Sequence, residues 1–386
     1  MRGIIFFFVI LVSISAQQGC TLNTTAVPGN NRDKTTYFSL DLAFQPERRE
    51  GGSEATELIV GDFTDDDYDD LVVLTQSAGM IFYKNILGTG FQDGVLIGVT
   101  PANFNYGSVA SGGIVVAESL TGSLRYLENQ RILNTFTLSS TFIQNRSIEA
   151  TQVLVSGSEI ALMTTPTNVI ARLGPSSFTD ALALGDVFPG APARVQAGNL
   201  NNDERPDFMF VAVAGSQTPR FYQGTNAGME VAGGTVSRAG VSDVNDFLLT
   251  NLVATLAPDA LLLTTSGLEV LENKSTESFI FETADVTGDL TTVGRQAVSG
   301  DFLLADGRND LYIIRSSGKG VLLKNSSATA LDLEDVTASD GFLSSAQGSG
   351  PIDVVSGDFD GDNRLDIAEL YSNTTIRIYM NTAKGE

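Results

Sequence analysis

The chain has 386 residues, with 46 acidic against 23 basic side chains and a formal net charge of −23. This charge argues against nucleic acid and anionic membrane surfaces as partners, because both would repel the protein, and it suits a chain that binds cations or works in a saline exterior. The sequence contains neither His nor Trp, which excludes a Ser/His/Asp triad and a His-ligated zinc ion.

Residues 1–19 are predicted to be an export signal. Arg2 precedes an apolar run over 4–12, which is too short to span a bilayer but has the length of a signal-peptide core. One interpretation is cleavage by an ordinary signal peptidase and free secretion. The interpretation we favour is a lipid anchor, because Cys20 is the only Cys in the chain and follows Gly19, which resembles a bacterial lipoprotein signal. The two Gln before Gly19 depart from that pattern.

Residues 20–35 are polar and rich in turn formers, so a flexible spacer is predicted there, followed by a single domain over 36–386. Within this domain one pattern recurs seven times, at intervals of about 43–56 residues. A strand ends near Gly-Asp-Phe, and an acidic loop, an apolar strand, a short turn and a third strand follow. The third strand often ends in Asn.

The runs after the loops are short, rich in β-branched and aromatic residues, and bounded by Gly, Asn and Ser, so they are predicted as strands. They are residues 70–74, 113–118, 159–164, 207–213, 259–265, 310–315 and 366–371. The partner strands are predicted at 80–85, 123–129, 169–173, 220–226, 268–273, 320–325 and 376–381.

The strand over Tyr37–Phe44 is expected to complete the seventh copy, and a weaker fourth strand is predicted after each of the other six, at 91–99, 135–142, 177–184, 229–236, 279–286 and 329–336. Seven four-stranded sheets arranged radially would then close in a circle, which leaves only short, protected edges. The sequence therefore predicts an all-β, seven-bladed β-propeller of four-stranded antiparallel blades. A linear β-solenoid or two β-sandwiches are the alternatives, and an open stack would leave the N-terminal strand without a partner.

The best candidate metal loop is residues 357–366, GDFDGDNRLD. Alternate spacing turns short side chains toward one centre, and hard oxygen ligands are what Ca²⁺ takes. Asn363 stands where a tight turn needs a left-handed backbone, which Asn tolerates. The predicted ligands, at loop positions 1, 3, 5, 7 and 9, are Asp358, Asp360, Asp362, Arg364 through its carbonyl oxygen, and Asp366.

Two further loops keep this frame with fewer carboxylates. In 61–70 the predicted ligands are Asp62, Thr64, Asp66, the Tyr68 carbonyl and Asp70. In 198–207 they are Asn199, Asn201, Asp203, the Arg205 carbonyl and Asp207. The loop 300–310 has one extra residue, so Asp301, Asp306 and Asp310 would bind only if it bulges. The loop 250–259 is interpreted as having lost its metal, and the second and third copies carry no usable carboxylate set.

In register with the strand repeat, 357–366 resembles the FG-GAP/VCBS repeat, which is found in integrin α-chain propellers and in many exported bacterial proteins. In that family this loop binds calcium, so the resemblance implies a calcium-supported propeller. An EF-hand does not fit, because no helix flanks the loop and no Glu stands at position 12. The repeated Phe63, Phe302 and Phe359 are expected to pack between blades.

Together these features predict a surface binding or adhesion module without catalytic activity. We expect a protein or glycan ligand, no nucleic acid, a membrane link only through Cys20, and a monomer in the cell envelope or secreted. One alternative is a polysaccharide-acting enzyme of the lyase or glycosidase type, with Tyr, Arg and carboxylates at one mouth of the channel. A second alternative is a structural subunit of an envelope complex, which would show a sizeable exposed apolar patch.

Overall fold

The computed structural model describes residues 38–44, 55–76, 79–97, 104–110, 113–118, 123–129, 138–145, 149–156, 159–165, 168–173, 178–185, 188, 193–213, 218–226, 228–238, 243–253, 257–276, 278–303, 307–326, 331–337, 350–372 and 374–382. The predicted export signal, the spacer and Cys20 lie outside these residues. Within them, no helix is long and apolar enough to cross a membrane.

The described strands form seven hydrogen-bonded sheets. Four of these consist of four strands that follow one another in the chain: β2 (Ala55–Gly61), β3 (Asp70–Thr75), β4 (Gly79–Tyr83) and β5 (Val95–Ile97); β6 (Phe104–Ala110), β7 (Gly113–Glu118), β8 (Ser123–Asn129) and β9 (Leu138–Asn145); β10 (Glu149–Ser156), β11 (Glu159–Thr165), β12 (Asn168–Leu173) and β13 (Phe178–Gly185); and β14 (Ala193–Gly198), β15 (Asp207–Ala212), β16 (Arg220–Thr225) and β17 (Gly228–Ala232).

Two sheets contain five strands: β18 (Gly234–Ser237) with β19 (Val244–Thr250), β20 (Asp259–Thr264), β21 (Gly267–Asn273) and β22 (Phe279–Thr283); and β23 (Val286–Gly288) with β24 (Gly294–Gly300), β25 (Asp310–Arg315), β26 (Gly320–Asn325) and β27 (Leu331–Asp335). The last sheet joins β1 (Phe38–Phe44) to β28 (Pro351–Gly357), β29 (Asp366–Tyr371) and β30 (Ile376–Asn381). The strands predicted after each loop, and their partners, are confirmed.

Neighbouring sheets pack against each other through their first strands. The first strand of each sheet contacts the first strand of the next, in the order β2, β6, β10, β14, β19, β24 and β28, and β28 contacts β2. Among the second strands, β3, β7, β15, β20 and β29 are buried along their whole length. An all-β fold of radially packed antiparallel blades is a β-propeller.

Hydrophobic clusters fill the wedges between neighbouring sheets. One cluster joins Leu74 of β3 to Val116 of β7, and another joins Val73 of β3 to Ile378 of β30. The repeated Phe63, Phe302 and Phe359 are buried in such clusters, which confirms the packing role predicted for them.

The predicted four-stranded antiparallel blades are confirmed, and two of the sheets carry a fifth strand in addition. The run predicted as one strand over 229–236 is divided, so that β17 completes its own sheet while β18 pairs in parallel with β22 of the next sheet. The run over 279–286 is divided in the same way, and β23 pairs in parallel with β27. The chain thus adds a strand to the outer edge of the next sheet on its way to that sheet's inner strand, and the added strand covers an edge that would otherwise be open.

The N-terminal strand predicted over Tyr37–Phe44 is present as β1. It pairs antiparallel with β30, from Phe38 opposite Asn381 to Phe44 opposite Ile376. The outer strand of the last sheet therefore comes from the part of the chain that precedes the first sheet.

Candidate metal centres

The three loops predicted to bind metal share one backbone shape. In each of them, positions 4 and 6 adopt the left-handed conformation that allows the chain to wrap tightly around its own side chains. These residues, with φ in parentheses, are Asp65 (61°), Asp67 (66°), Asn202 (61°), Glu204 (65°), Gly361 (76°) and Asn363 (63°). The left-handed backbone predicted for Asn363 is confirmed.

In the loop 357–366 the first carboxylate organises the turn. Asp358 accepts hydrogen bonds from the main-chain N–H groups of Gly361 at 2.8 Å, Asp362 at 3.1 Å and Asn363 at 2.8 Å. Asp358, Asp360 and Asp366 each offer a carboxylate oxygen within 4.8 Å of the others. Three hard oxygens at this separation are a donor set suited to a calcium ion.

Asp362 is not part of this group. One of its oxygens accepts a hydrogen bond from the Arg364 main-chain N–H at 2.9 Å, and the other forms an ion pair with the Arg364 guanidinium. The structure thus brings together three of the four predicted carboxylates, and Arg364 acts as a local counter-ion to the fourth. A calcium ion at this loop would compete with Arg364 for Asp362.

In the loop 61–70, Asp62 accepts the main-chain N–H groups of Asp66 at 3.1 Å and Asp67 at 3.0 Å. Asp66 pairs with Lys84 at 3.2 Å. The hydroxyl of Thr64 is buried and makes no hydrogen bond to the described part of the chain. In the described residues, only the loop 357–366 gathers three carboxylates as closely as 4.8 Å, so the predicted ligands here are spread more widely.

In the loop 198–207, nitrogen donors surround the carboxylate at position 5, that of Asp203. The Asp203 carboxylate accepts hydrogen bonds from the Asn201 amide at 3.1 Å and the Gln223 amide at 3.3 Å, and it lies 3.6 Å from the Arg205 guanidinium. Burial raises the pKa of Asp203, but these hydrogen bonds, with one from the Arg205 main-chain N–H, hold it below its ordinary value. Amide and guanidinium groups thus satisfy the carboxylate, without a metal ion.

The Asp at position 9, or at position 10 in the longer loop 300–310, has the same role in five loops. One oxygen accepts main-chain N–H groups from the start of its loop, and the other accepts an N–H near the end of the third strand. These residues are Asp70, Asp207, Asp259, Asp310 and Asp366, all buried. Burial raises the pKa of Asp366 to about 7 and the pKa values of Asp70 and Asp207 to about 6.

The loops predicted to be weak or metal-free retain this bond pattern. Asp259 holds the N–H groups of Leu252 at 3.0 Å and Val253 at 2.8 Å, although the loop has no other carboxylate. In the loop 300–310, Asp301 accepts the Gly307 N–H at 2.7 Å, while Asp306 lies outside the described residues. The position 9 Asp therefore shapes each loop whether or not a metal binds, a role that sequence analysis missed.

A second recurring contact links neighbouring sheets. An Asn at or near the end of a third strand donates its side-chain amide to the carbonyl of loop position 2 in the preceding sheet. The pairs are Asn85 with Phe359 (2.8 Å), Asn129 with Phe63 (2.8 Å), Asn273 with Leu200 (3.0 Å), Asn325 with Leu252 (2.8 Å) and Asn381 with Phe302 (2.7 Å). The sequence shows the Asn at or near the end of these strands, but the repeat pattern did not predict its hydrogen bond to the neighbouring sheet.

Polar groups also meet where the first strands face one another. Asp353 accepts the Leu58 N–H at 2.7 Å, and Arg194 lies 3.7 Å from Asp246. Burial raises the pKa of Asp246 to about 6, although Arg194 opposes the shift. Because each of these contacts crosses between two neighbouring sheets, they join the blades near the axis.

Three Tyr hydroxyls converge on one buried carboxylate. Glu369 accepts hydrogen bonds from the hydroxyls of Tyr312 at 2.6 Å, Tyr371 at 2.7 Å and Tyr379 at 3.0 Å. All four side chains are buried between the last two sheets. The carboxylate is satisfied by this internal network, which joins β25, β29 and β30.

The propeller fold agrees with comparisons to solved structures. BBS1N, from a crystal structure in complex with ARL6DN, has a TM-score of 0.55 at 12% identity, covering 91% of this chain and 99% of that one. Sqt1 of Saccharomyces cerevisiae has a TM-score of 0.54 at 10% identity, covering 88% and 98%. At such identities the likeness concerns the fold alone. No protein-family model and no curated protein sequence matches the chain.

Proposed function

We propose that the chain is an exported, calcium-supported protein-binding module on a closed seven-bladed propeller, without catalytic activity of its own. The observation that carries the calcium assignment is the convergence of oxygens from Asp358, Asp360 and Asp366 within 4.8 Å. The resemblance of 357–366 to the FG-GAP/VCBS loop supports the same assignment. Coordination there would neutralise clustered charge and hold the hairpin between β28 and β29.

Closure of the ring is supported by two observations. The inner strands contact one another in a complete cycle that returns from β28 to β2. The N-terminal strand β1 completes the sheet of β28–β30. A closed ring would leave no sheet facing solvent as the end of a stack, which is the usual advantage of a closed propeller.

The loops 61–70 and 198–207 are proposed as second and third calcium sites of decreasing strength. Asp62, Asp66 and Asp70 offer three carboxylates in the first of these loops, and the buried Thr64 hydroxyl makes no hydrogen bond to the described residues. In the loop 198–207 only two carboxylates are available, and Asp203 is already satisfied by nitrogen donors.

Protein binding is supported by the fold and by the known use of a similar structure. BBS1N was crystallised with a protein partner, ARL6DN, so this architecture can present a protein-binding surface. Propeller loops vary freely on a rigid frame, which suits recognition. A protein ligand is favoured over a glycan, because the chain lacks Trp, the best platform for stacking sugars.

Export is supported by the apolar run over 4–12 and by Cys20, which would carry the lipid of a cell-envelope lipoprotein. The formal charge of −23 is compatible with an exterior where salt screens self-repulsion. Metabolic labelling with a fatty acid in a bacterial host tests the anchor, and Cys20→Ser should abolish the label.

The calcium proposal is tested by elemental analysis of the purified protein and by thermal unfolding before and after metal removal. We expect bound calcium, a lower melting temperature after its removal, and recovery when Ca²⁺ is added. Asp360→Asn should reduce the recovery, whereas Asp93→Asn, which removes an exposed carboxylate outside the loops, should leave it unchanged. Unfolding that is identical with and without Ca²⁺, together with no bound calcium, would refute the assignment.

The binding proposal is tested by capture of envelope proteins on the immobilised chain, followed by a binding measurement with each purified candidate. We expect saturable binding of at least one protein. Binding only to oligosaccharides, or turnover of a polysaccharide, would instead favour the glycan-binding or enzyme alternative.

A further inference from the structure

The two most acidic loops face each other where the first and last sheets meet. We call this contact, between the sheet of β2–β5 and the sheet of β28–β30 and β1, the closing junction. The Asp69 main-chain N–H donates to the Asp358 carbonyl at 3.2 Å, and the Asp358 N–H donates to the Asp69 carboxylate at 2.8 Å. Positions 8 and 1 of the two loops are thus joined by reciprocal bonds.

The loops also fit closely against each other. Asn85 donates to the Phe359 carbonyl at 2.8 Å, and the rings of Phe91 and Phe359 meet edge to face at 5.9 Å. Gly361 faces the Tyr68 ring so closely that a Cβ atom at Gly361 would lie 2.5 Å from it. A change in the backbone of either loop must therefore shift the contacting atoms of the other loop.

The other junctions are built differently. Asn273 and Asn325 make the same amide-to-carbonyl bond as Asn85 in their own junctions. Across the described residues, the other main-chain hydrogen bonds between neighbouring sheets, such as that from the Leu268 N–H to the Leu290 carbonyl at 2.8 Å, involve no candidate metal loop. The closing junction is thus the one described place where the geometry of one candidate metal loop is bonded directly to that of another.

Charge opposes this contact. Residues 61–70 contain six Asp and residues 357–366 contain four. Lys84 pairs with Asp66, and Arg364 pairs with Asp362. Like charges brought this close repel, and the repulsion falls when a divalent ion binds.

We propose that Ca²⁺ in these two loops controls opening and closing of the ring at the closing junction. This inference rests on the calcium binding proposed above. Each ion fixes the shape of its loop and neutralises two charges, so the closed junction binds calcium more tightly than the open one. By linkage, calcium then favours closure. The remaining junctions should stay closed without the ion, because the apolar clusters, amide hydrogen bonds and Arg194–Asp246 ion pair that join them do not depend on calcium.

The test is amide hydrogen exchange of the full chain, with Ca²⁺ and after its removal, alongside a calorimetric titration with Ca²⁺ alone. Removal should raise exchange by at least about tenfold at the Asp69 and Asp358 amides and in β1 and β30. Strands β14–β16, in the sheet farthest from the closing junction in the order of contacts, should change little. If Ca²⁺ binds but exchange rises uniformly or elsewhere, the inference fails while the calcium site stands. If no Ca²⁺ binds, both fail.

Matched variants separate the junction from general stability. Asn85→Ala removes two amide donations, to the carbonyls of Phe359 and Asp69, and one accepted bond from the Gly88 N–H. Asn273→Ala removes the same three kinds of bond at a distant junction. Only Asn85→Ala should raise exchange at the closing junction in saturating Ca²⁺. Equal responses there to both variants would overturn the inference.

A second variant covers the case in which Asn85→Ala fails to fold. Asp69→Asn keeps an oxygen to accept the Asp358 N–H but removes a charge from the junction, and Asp69 is not a predicted ligand. Its closing junction should open less when calcium is removed, while the calcium dissociation constant changes by less than about threefold. An unchanged opening response would overturn the inference.

Discussion

The side-chain amide of Asn273 donates a hydrogen bond to the main-chain carbonyl of Leu200, 73 residues earlier in the chain and in the neighbouring sheet. The same amide donates to the Pro258 carbonyl at 3.0 Å. Asn273 is buried, so water cannot replace these bonds at no cost. Because equivalent Asn residues occupy four other junctions, the propeller is held together by a repeated polar contact as well as by its apolar wedges.

We expect Asn273→Ala to lower the free energy of unfolding by about 2 kcal/mol, since it leaves the buried Leu200 carbonyl and the partly buried Pro258 carbonyl without their donor. Urea unfolding followed by circular dichroism measures the loss. Lys274→Ala serves as the control, because its ion pair with Glu272 is exposed and should contribute less than about 0.5 kcal/mol. Equal effects of the two substitutions would show that the Asn contact does not stabilise the junction.

The periodic pattern of short β-branched runs was sufficient to predict the loop-following strands and the strand that pairs with β30. It could not divide 229–236 into two strands, because a run of alternating residues does not reveal which sheet each half will join. The loop spacing also predicted the convergence of Asp358, Asp360 and Asp366. It did not predict the ion pair between Asp362 and Arg364, because position in a loop does not reveal which neighbouring side chain a carboxylate will contact.

The role of the position 9 Asp was hidden for a different reason. A carboxylate that accepts main-chain N–H groups and one that binds a metal have the same signature in a sequence. Asp259 separates the two, because its loop has lost the other carboxylates and keeps this one. The Pro258-Asp259 pair was in register with the ligand frame of 198–207, and that persistence was the available clue.

Asp259→Ala should therefore destabilise the protein equally with and without calcium. Three main-chain N–H groups, those of Leu252, Val253 and Asn273, would lose their acceptor, at a cost of about 3 kcal/mol. Thermal unfolding in Ca²⁺ and in a chelator measures both values. Asp360→Asn is the contrasting variant, since it should matter mainly when Ca²⁺ is present. A calcium-dependent loss for Asp259→Ala would contradict the structural role assigned to it.

Arg364→Gln should strengthen calcium binding at the loop 357–366. The Arg364 guanidinium holds Asp362 in an ion pair, so a metal ion must displace this charge before Asp362 can contribute. Removing the positive charge should lower the dissociation constant by roughly three- to tenfold. Calorimetric titration measures the change, and Arg308→Gln, in the loop 300–310, is the control. Weaker binding after Arg364→Gln would show that Arg364 supports the site.

The calcium-free protein should be more stable at about pH 5 than at about pH 8. Burial raises the pKa of Asp366 to about 7 and that of Asp246 to about 6, whereas an unfolded Asp has a pKa of about 3.9. Between these values the folded protein holds protons that the unfolded chain has released. The stabilisation is therefore fully present below about pH 4 and is lost as the pH rises through the folded-state values.

Thermal unfolding of metal-free protein across this range measures the trend, and Asp366→Asn should flatten it. Saturating Ca²⁺ should also reduce the loss near pH 7, because the ion stabilises the charged form of Asp366. Stability that rises steadily with pH in the metal-free protein would contradict the assignment.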